Sequence, residues 1–246
     1  MNCIICSNNT KEIKKDTHRC NSCGHVFRDF QGDSIEFHKE TYRNKNHQKW
    51  KKDQNEFNED GSVNGRFHEA RKGIVTSRIN KISHVLADRR SIFDIGSGAG
   101  TLAMHMQSFT SDIECLELAD TLVNESRRLG FTTHQSDFLE FVPNRRFDLV
   151  TCYHVLEHVK DLNAFLDKLD EVSSEYVVFE VPTLKCYFGT SPKERRWEPP
   201  NNGHYDGHYH YFTIKSLATL FMGRYEITTI ESGTQSPAIL FIGKKI

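Results

Sequence analysis

His154, Glu157 and His158 stand in the segment "HVLEHV" with the spacing H-x-x-E-H. On a helix that spacing sets two imidazoles one turn apart with a carboxylate between them, the pattern by which inverted zinc proteases bind their metal. The same side chains suit other chemistry. A neutral imidazole accepts a proton near pH 7 and so serves as a general base. Imidazole and carboxylate together also ligate divalent ions. The plainest alternative is a helix start whose histidines bond locally. A second chemical set lies at the other end of the chain. Cys3 and Cys6, then Cys20 and Cys23, form two C-x-x-C pairs separated by 13 residues. Four thiolates so paired suit tetrahedral Zn²⁺, because each turn presents two sulfurs to one ion. Gly24 allows a tight turn after the second pair. His18 and His25 are spare donors that the paired cysteines make unnecessary. A piece of about 30 residues buries too little core to fold alone, so the metal supplies its folding energy. Four protein ligands close the site, which makes it structural.

The chain that must position these groups has 246 residues, enough for one full domain and a small module. A net charge of −1 offers no basic field to nucleic acid. The N-terminus "MNCIICSNNTKEIKK" lacks the apolar core of a signal peptide, and no apolar run is long enough to span a bilayer. The expectation is a cytoplasmic protein whose seven cysteines stay reduced. Cys115, Cys152 and Cys186 fall in apolar runs and read as core residues.

Val75, Ile79, Ile82 and Leu86 recur at helical spacing. There follow "SIFDI", a glycine-rich turn, a helix from Thr101, "IECLEL", a helix over Thr121–Leu129 and a short strand at "THQ". "FDLVTCY" is a continuous apolar strand of the kind buried on both faces. Leu162, Phe165, Leu166, Leu169 and Val172 mark another helix, then come "YVVFEVP", a helix from Ile214, "YEITTI" and "AILFIG". Alternating strands and helices predict a parallel α/β sheet with right-handed crossovers. The divisions are a zinc-ribbon-like module over 1–30, a charged linker or flap over 31–68, and the main domain over 69–246. Tyr42, Trp50 and Phe57 are the aromatic residues that a flap would use.

Ligands of such sheets sit at the carboxyl ends of the strands, where strand order reverses. The loop after "SIFDI" runs Asp94-Ile-Gly96-Ser97-Gly98-Ala-Gly100, so the backbone can approach a ligand closely. Glu117 follows about 20 residues after the first glycine, where a carboxylate accepts hydrogen bonds from ribose hydroxyls. A dinucleotide site prefers G-x-G-x-x-G. Here the pattern is G-x-G-x-G beside Asp94, which would repel a pyrophosphate and suits an ammonium group. That favours S-adenosylmethionine (SAM), which carries an amino acid and a sulfonium and no phosphate.

With these residues in place, residues 70 to 246 resemble the class I SAM-dependent methyltransferases. "FDIGSGAG" is similar to the family's first motif, and Glu117 in "CLELAD" to its ribose-binding acid. "QSDF" resembles the third motif, which implies that Asp137 holds the adenine amino group and that Phe138 lies against the ring. "FDLVTCYHVLEHVKD" resembles the fourth, with Tyr153 as a further cofactor-binding residue, and "VVFEVP" the strand after it. "GHYHYFTIKSLATLF" is similar to a segment found in a subgroup that modifies small molecules, including sugars, glycan precursors and quinones. In that subgroup a four-cysteine ribbon often precedes the domain. The fold implied is a Rossmann-like, mostly parallel sheet with an antiparallel last strand.

The resemblance makes "FDLVTCY" the fourth strand, neighbour of the first, so "HVLEHV" belongs beside the SAM loop and not in a protease. Beside the local reading, two active ones remain. His154 at the strand tip is the first choice of general base, with His158 and His208 as further catalytic histidines. Alternatively, a second divalent metal sits on His154, Glu157 and His158. Some ubiquinone-pathway and small-RNA 2′-O-methyltransferases carry E-x-x-E-H there. This chain departs from them at His154, and His204, His208 or His210 would complete the set. In "SPKERRWEPPNNGHYDGHYHYF", Trp197, Tyr205 and Tyr209 suit stacking on a sugar or base, and Lys193, Arg195 and Arg196 suit a phosphate or carboxylate. The function expected is methyl transfer to a hydroxyl of a small-molecule or saccharide acceptor, phosphorylated or not. The alternatives are C-methylation of a keto sugar, metal-assisted 2′-O-methylation of RNA, and a non-catalytic SAM-binding scaffold.

Overall fold

The computed structural model describes residues 1–29, 57–58, 62–184, 208–232 and 238–246. Tyr42, Trp50, Cys186, Lys193, Arg195, Arg196, Trp197, His204 and Tyr205 lie outside them. In chain order the elements are β1 (Thr10–Lys14), β2 (Thr17–Cys20), β3 (Val26–Arg28), α1 (Gly65–Leu86), β4 (Ser91–Ile95), α2 (Thr101–Met106), β5 (Asp112–Glu117) and α3 (Asp120–Arg128). There follow β6 (Thr132–Gln135), β7 (Phe147–Tyr153), α4 (Leu162–Val172), β8 (Ser173–Pro182), β9 (His210–Tyr211), α5 (Ile214–Phe221), β10 (Tyr225–Ser232) and β11 (Ala238–Lys245).

A seven-stranded sheet takes the order β10-β11-β8-β7-β4-β5-β6. β4 pairs in parallel with β5 and β7, β5 pairs in parallel with β6, and β10 pairs antiparallel with β11. This is the Rossmann-like, mostly parallel sheet expected from the sequence, with strand order reversing between β4 and β7. Ile95 pairs with Cys152, so the carboxyl ends of those two strands are level. No helix among the described residues is long and apolar enough to cross a membrane. The chain divides into two compact units.

One unit comprises Ile35–Cys152 and Asn163–Tyr176. All five residues of β4 are buried, as a strand covered on both faces requires. Phe93 stacks on Phe147 and Phe141, with ring centroids 4.9 and 5.2 Å away. Burying one such ring stabilises the fold by about 1.5–3 kcal/mol. α1 begins inside the segment expected to be a linker. Asn64 caps it by accepting the Arg66 N–H at 3.0 Å. His68 then ties three helices together, with Nδ1 2.9 Å from Thr101 Oγ1 and Nε2 2.9 Å from Glu125 Oε1. Phe57, Val63 and Phe67 pack on Ala99, Ala119 and Leu122, so they seat the glycine loop and the turn after β5.

The other unit comprises Met1–Ser34, Tyr153–Leu162 and Val177–Ile246. Its small sheet has the order β1-β2-β3-β9. The module expected over 1–30 supplies three of these strands, and the fourth comes from far along the chain. Val26 pairs with Tyr211 and Phe27 with His210. The physical reason is the apolar edge of β3, a strand too short to remain unpaired with Val26 and Phe27 facing water. α5 starts with a capping box between Thr213 and Ser216.

Gly98 and Gly100 both have left-handed backbone, at φ 58° and 79°. A Cβ at Gly98 meets nothing within 4 Å, whereas at Gly100 it sits 3.0 Å from Ser126 Oγ and 3.2 Å from the Phe131 ring. Gly98→Ala is therefore expected to cost about 1 kcal/mol of stability, from backbone strain alone. Gly100→Ala should cost roughly 2–3 kcal/mol, because a clash is added. Urea denaturation midpoints measure both, and the reverse order would contradict this account of the loop.

Candidate functional site

The glycine loop is held by β5. The Gly96 and Ser97 N–H groups donate to the Leu116 carbonyl at 2.8 and 3.1 Å. The Glu117 carboxylate accepts the Gly98 N–H on Oε2 at 2.9 Å, and the Leu118 and Ala119 N–H groups on Oε1 at 2.8 and 3.0 Å. Asp94 is only 2% exposed. Its Oδ1 accepts the Thr151 hydroxyl at 2.7 Å, while Oδ2 and the nearby Ser97 Oγ have no hydrogen-bond partner among the described residues. Burial pushes the Asp94 carboxyl up to about 7, against the opposing pull of the Thr151 hydroxyl. A buried carboxylate oxygen without a donor fits a ligand that brings one, such as the ammonium of SAM. Half-buried Asp137 accepts the Leu139 N–H on Oδ1 at 2.7 Å. Phe138 is buried against Phe165, with centroids 4.7 Å apart. Tyr153 is buried at the end of β7.

Directly after β7 the chain turns at His154, a non-glycine residue at φ 57°. Such a backbone costs of order 1–3 kcal/mol and persists only where its surroundings hold it. Here the His154 N–H donates to the Glu180 carbonyl at 2.8 Å. Its Nε2 lies 3.1 Å from Glu180 Oε1 and its Nδ1 3.3 Å from Glu157 Oε1. Burial alone would lower its pKa, but the hydrogen bonds and charges of the two carboxylates outweigh that and lift it to about 9. The two carboxylates thus favour the protonated form of His154. A protonated imidazole has no nitrogen left to accept another proton, which weighs against His154 as the expected base.

Leu156–His158 forms a single 3₁₀ turn, separate from α4. Glu157, 1% exposed, lies beneath it. Burial alone would raise the Glu157 pKa, but the His154 hydrogen bond and the nearby imidazoles pull it down to about 2, so it is ionised. Its Oε2 has no hydrogen-bond partner among the described residues. The His158 ring meets that of His208 edge-on at 4.4 Å, and the Tyr209 N–H donates to the Glu157 carbonyl at 2.8 Å. One ligand atom each from Glu157, His158 and His208 falls within 4.8 Å of the others. His208, one of the residues expected to complete the set, thus joins Glu157 and His158, while the His154 ring lies against Glu180. His210 lies elsewhere. It is buried against His25 and Phe212, and burial pushes its pKa down to about 4, with the Val159 and Lys160 backbone opposing. Glu180 was not read from the sequence. Its signal was a carboxylate inside the apolar run "VVFEVP", since a buried charge needs a partner.

Three sulfur pairs of the four cysteines, Cys3–Cys23, Cys6–Cys20 and Cys6–Cys23, lie 3.7, 3.4 and 3.6 Å apart. Thiolates about 2.3 Å from a tetrahedral Zn²⁺ are about 3.7 Å from one another, so the cluster fits the ion. The Ser22 and Cys23 N–H groups point at Cys20 Sγ from 3.3 and 3.4 Å. All four cysteines are free of disulfides.

A family model described as "Methyltransferase domain" matches residues 67–224. No curated protein matches the chain by sequence. Among solved structures, magnesium protoporphyrin IX methyltransferase from Synechocystis PCC 6803 with bound SAH is similar at TM-score 0.62 and 13% identity, covering 87% of this chain and 100% of that one. A SAM-dependent methyltransferase from Archaeoglobus fulgidus is similar at TM-score 0.56 and 16% identity, covering 74% and 100%. DesVI from Streptomyces venezuelae is similar at TM-score 0.53 and 17% identity, covering 74% and 93%. At these identities the likeness is one of fold.

The side chain of His154 is 43% exposed, so water screens both of its ion pairs. Its raised pKa still fixes the sign of the linkage. The pairs stabilise the fold fully below about 6.5 and lose that contribution as pH rises through about 9. An imidazole NMR titration should show His154 titrating near 9, and Glu180→Gln should lower that midpoint by about one unit. A wild-type midpoint near 6.5 would overturn the clamped-cation description.

Proposed function

The chain belongs to the methyltransferase-domain family, and from that membership we propose that it methylates a hydroxyl of a small-molecule or saccharide-type acceptor. The enzyme is a class I SAM-dependent methyltransferase. In this proposal Asp94 receives the ammonium of SAM, Gly96, Ser97, Gly98 and Gly100 line its path, and Glu117 takes the ribose. Asp137, Phe138 and Tyr153 serve the adenine side. SAM, when bound, supplies a methyl group on a positively charged sulfur. The protein's task is to align an acceptor and take its proton.

The observation that carries the hydroxyl assignment is the convergence of His158 and His208 above buried, ionised Glu157. A neutral imidazole of that pair removes the hydroxyl proton, and the Glu157 carboxylate stabilises the imidazolium that results. His154 acts as a fixed positive charge that holds Glu157 in place. A second assignment uses the same residues. The Glu157 oxygen without a partner, His158 and His208 would hold a divalent ion that lowers the pKa of the hydroxyl. Zn²⁺ on the four cysteines is structural in either case, and four free thiols support a reducing, cytoplasmic setting. RNA is the weaker acceptor, since a net charge of −1 gives no general attraction to phosphates. Keto-sugar C-methylation would use the same base on a carbon acid, and a non-catalytic scaffold leaves the histidine cluster without a role.

Two measurements test this. Labelled SAM with metabolite, glycan and RNA fractions, with and without a chelator, identifies the acceptor class and the need for a metal. Once an acceptor is known, His158→Ala and His208→Ala should each lower turnover by about 10²–10⁴-fold while leaving SAM affinity within about twofold. Equal losses in both would sink the base assignment.

The second concerns pH. The Asp94 pKa is raised, so its protonated form favours the free fold and that contribution is lost as pH rises from about 4 to about 7. Ammonium binding needs the carboxylate. SAM affinity measured by calorimetry should therefore rise with pH up to about 7, approaching tenfold per unit well below that point. Asp94→Asn should bind more weakly and without that slope. A wild-type affinity flat from pH 5.5 to 8 would contradict the role of Asp94.

A further inference from the structure

The four-cysteine cluster and the Glu157–His158–His208 cluster belong to the same unit, and a continuous series of bonds joins them. It begins at the second cysteine pair. The Cys20 N–H donates to the His25 carbonyl at 2.8 Å, which closes the knuckle and delivers the chain directly into β3. The knuckle also grips the segment after β9. Thr213 donates its hydroxyl to the Cys23 carbonyl at 2.7 Å, and Lys215 Nζ donates to the Ser22 carbonyl at 2.8 Å. The approach is tight: a Cβ on Gly24 would stand 3.2 Å from Thr213 Cγ2.

β3 then holds β9. Besides the pairs Val26–Tyr211 and Phe27–His210, the Arg28 N–H donates to the Tyr209 carbonyl at 2.9 Å. A two-residue strand has no stability of its own and takes its position from its partner. Behind the pairing lies a stack of rings. His25, fully buried, is 5.5 Å from Phe27, 5.4 Å from Phe212 and 5.3 Å from His210. On the far side the Leu184 N–H donates to the Phe212 carbonyl at 3.0 Å. At the near end of β9, Tyr209 bonds the Glu157 carbonyl and His208 meets His158.

We propose that the four-cysteine centre is a positioning element of the acceptor side: with zinc bound it fixes β3, β3 fixes β9, and β9 sets His208 against Glu157 and His158. The assignment of that cluster to the acceptor side rests on the function proposed above; the mechanical coupling does not. β1, β2 and β3 bury too little to keep the knuckle in shape without the ion, so loss of zinc frees β9. Asp94, the glycine loop and Glu117 take none of their hydrogen bonds described above from this module. The centre therefore governs the histidine cluster and spares the cofactor residues. It acts through other groups and touches no reacting atom.

The test uses the full chain. Zinc is removed with a chelator, its loss is confirmed by metal analysis, and three quantities are followed: backbone hydrogen exchange over residues 208–213, the imidazole signals of His158 and His208, and SAM affinity by calorimetry. Zinc removal should speed exchange at Tyr209–Phe212 by about tenfold or more and shift or broaden both imidazole signals. SAM affinity should stay within about twofold, and restoring Zn²⁺ should reverse the changes. Phe27→Ala keeps all four cysteines and removes one ring from the stack. It should keep its zinc and still speed exchange over 208–213. Unchanged exchange and unchanged imidazole signals after zinc removal would overturn the proposal. So would a parallel loss of SAM affinity, because the metal would then support the whole fold. None of these readouts depends on turnover, so an absence of methyl transfer would count against the proposed function and leave this coupling standing.

Discussion

The buried carboxylate of Glu157 is the constraint around which one end of the molecule is organised. An ionised group with 1% exposure is costly unless donors and positive charges offset its burial. No single segment provides them. His154, three residues earlier, supplies one and His158 flanks it, while the segment before β9 comes from about fifty residues later, with the Tyr209 N–H on the Glu157 backbone carbonyl and His208 against His158. The positive φ of His154 follows from the same demand, since its ring must reach Glu157 and Glu180 together. Charge burial thus accounts for the pairing of one imidazole, that of His154, with two carboxylates.

Glu117 shows the same logic in the other unit. Its two oxygens accept three backbone N–H groups, from the glycine loop and from the turn that starts α3. A carboxylate has about four acceptor positions, so one side chain suffices to organise the loop and the turn together. Asp94 differs because one of its oxygens is left without a donor. The first carboxylate is satisfied by the fold, and the second awaits what the fold receives.

Much of this was readable in the amino-acid order. The apolar runs at Ser91–Ile95 and Phe147–Tyr153 became neighbouring buried strands because their side chains leave no face for water. The glycine loop, Glu117 and the cysteine pairs carry local signatures in which residue type and spacing are themselves the chemistry. The histidine cluster does not. Its members are distant in sequence, and the H-x-x-E-H spacing presumed a helix where the chain makes a 3₁₀ turn. The pairing of His154 with Glu180 was not legible either, because Glu180 reaches it from another strand. The ribbon was recognisable, but its fourth strand was not: two residues, His210 and Tyr211, carry no periodicity.

The pairing of β3 with β9 also sets an order on the birth of the molecule. The cysteines emerge from the ribosome well before the strand that covers the exposed edge of β3, which follows about 180 residues later. At typical rates of about 5–20 residues per second, that edge waits for some ten to forty seconds. During this interval it is open to the wrong partner, whether another nascent chain or a stray strand of its own. The late arrival of His210 and Tyr211 makes this small sheet slow to close, although its other three strands are made about 180 residues earlier.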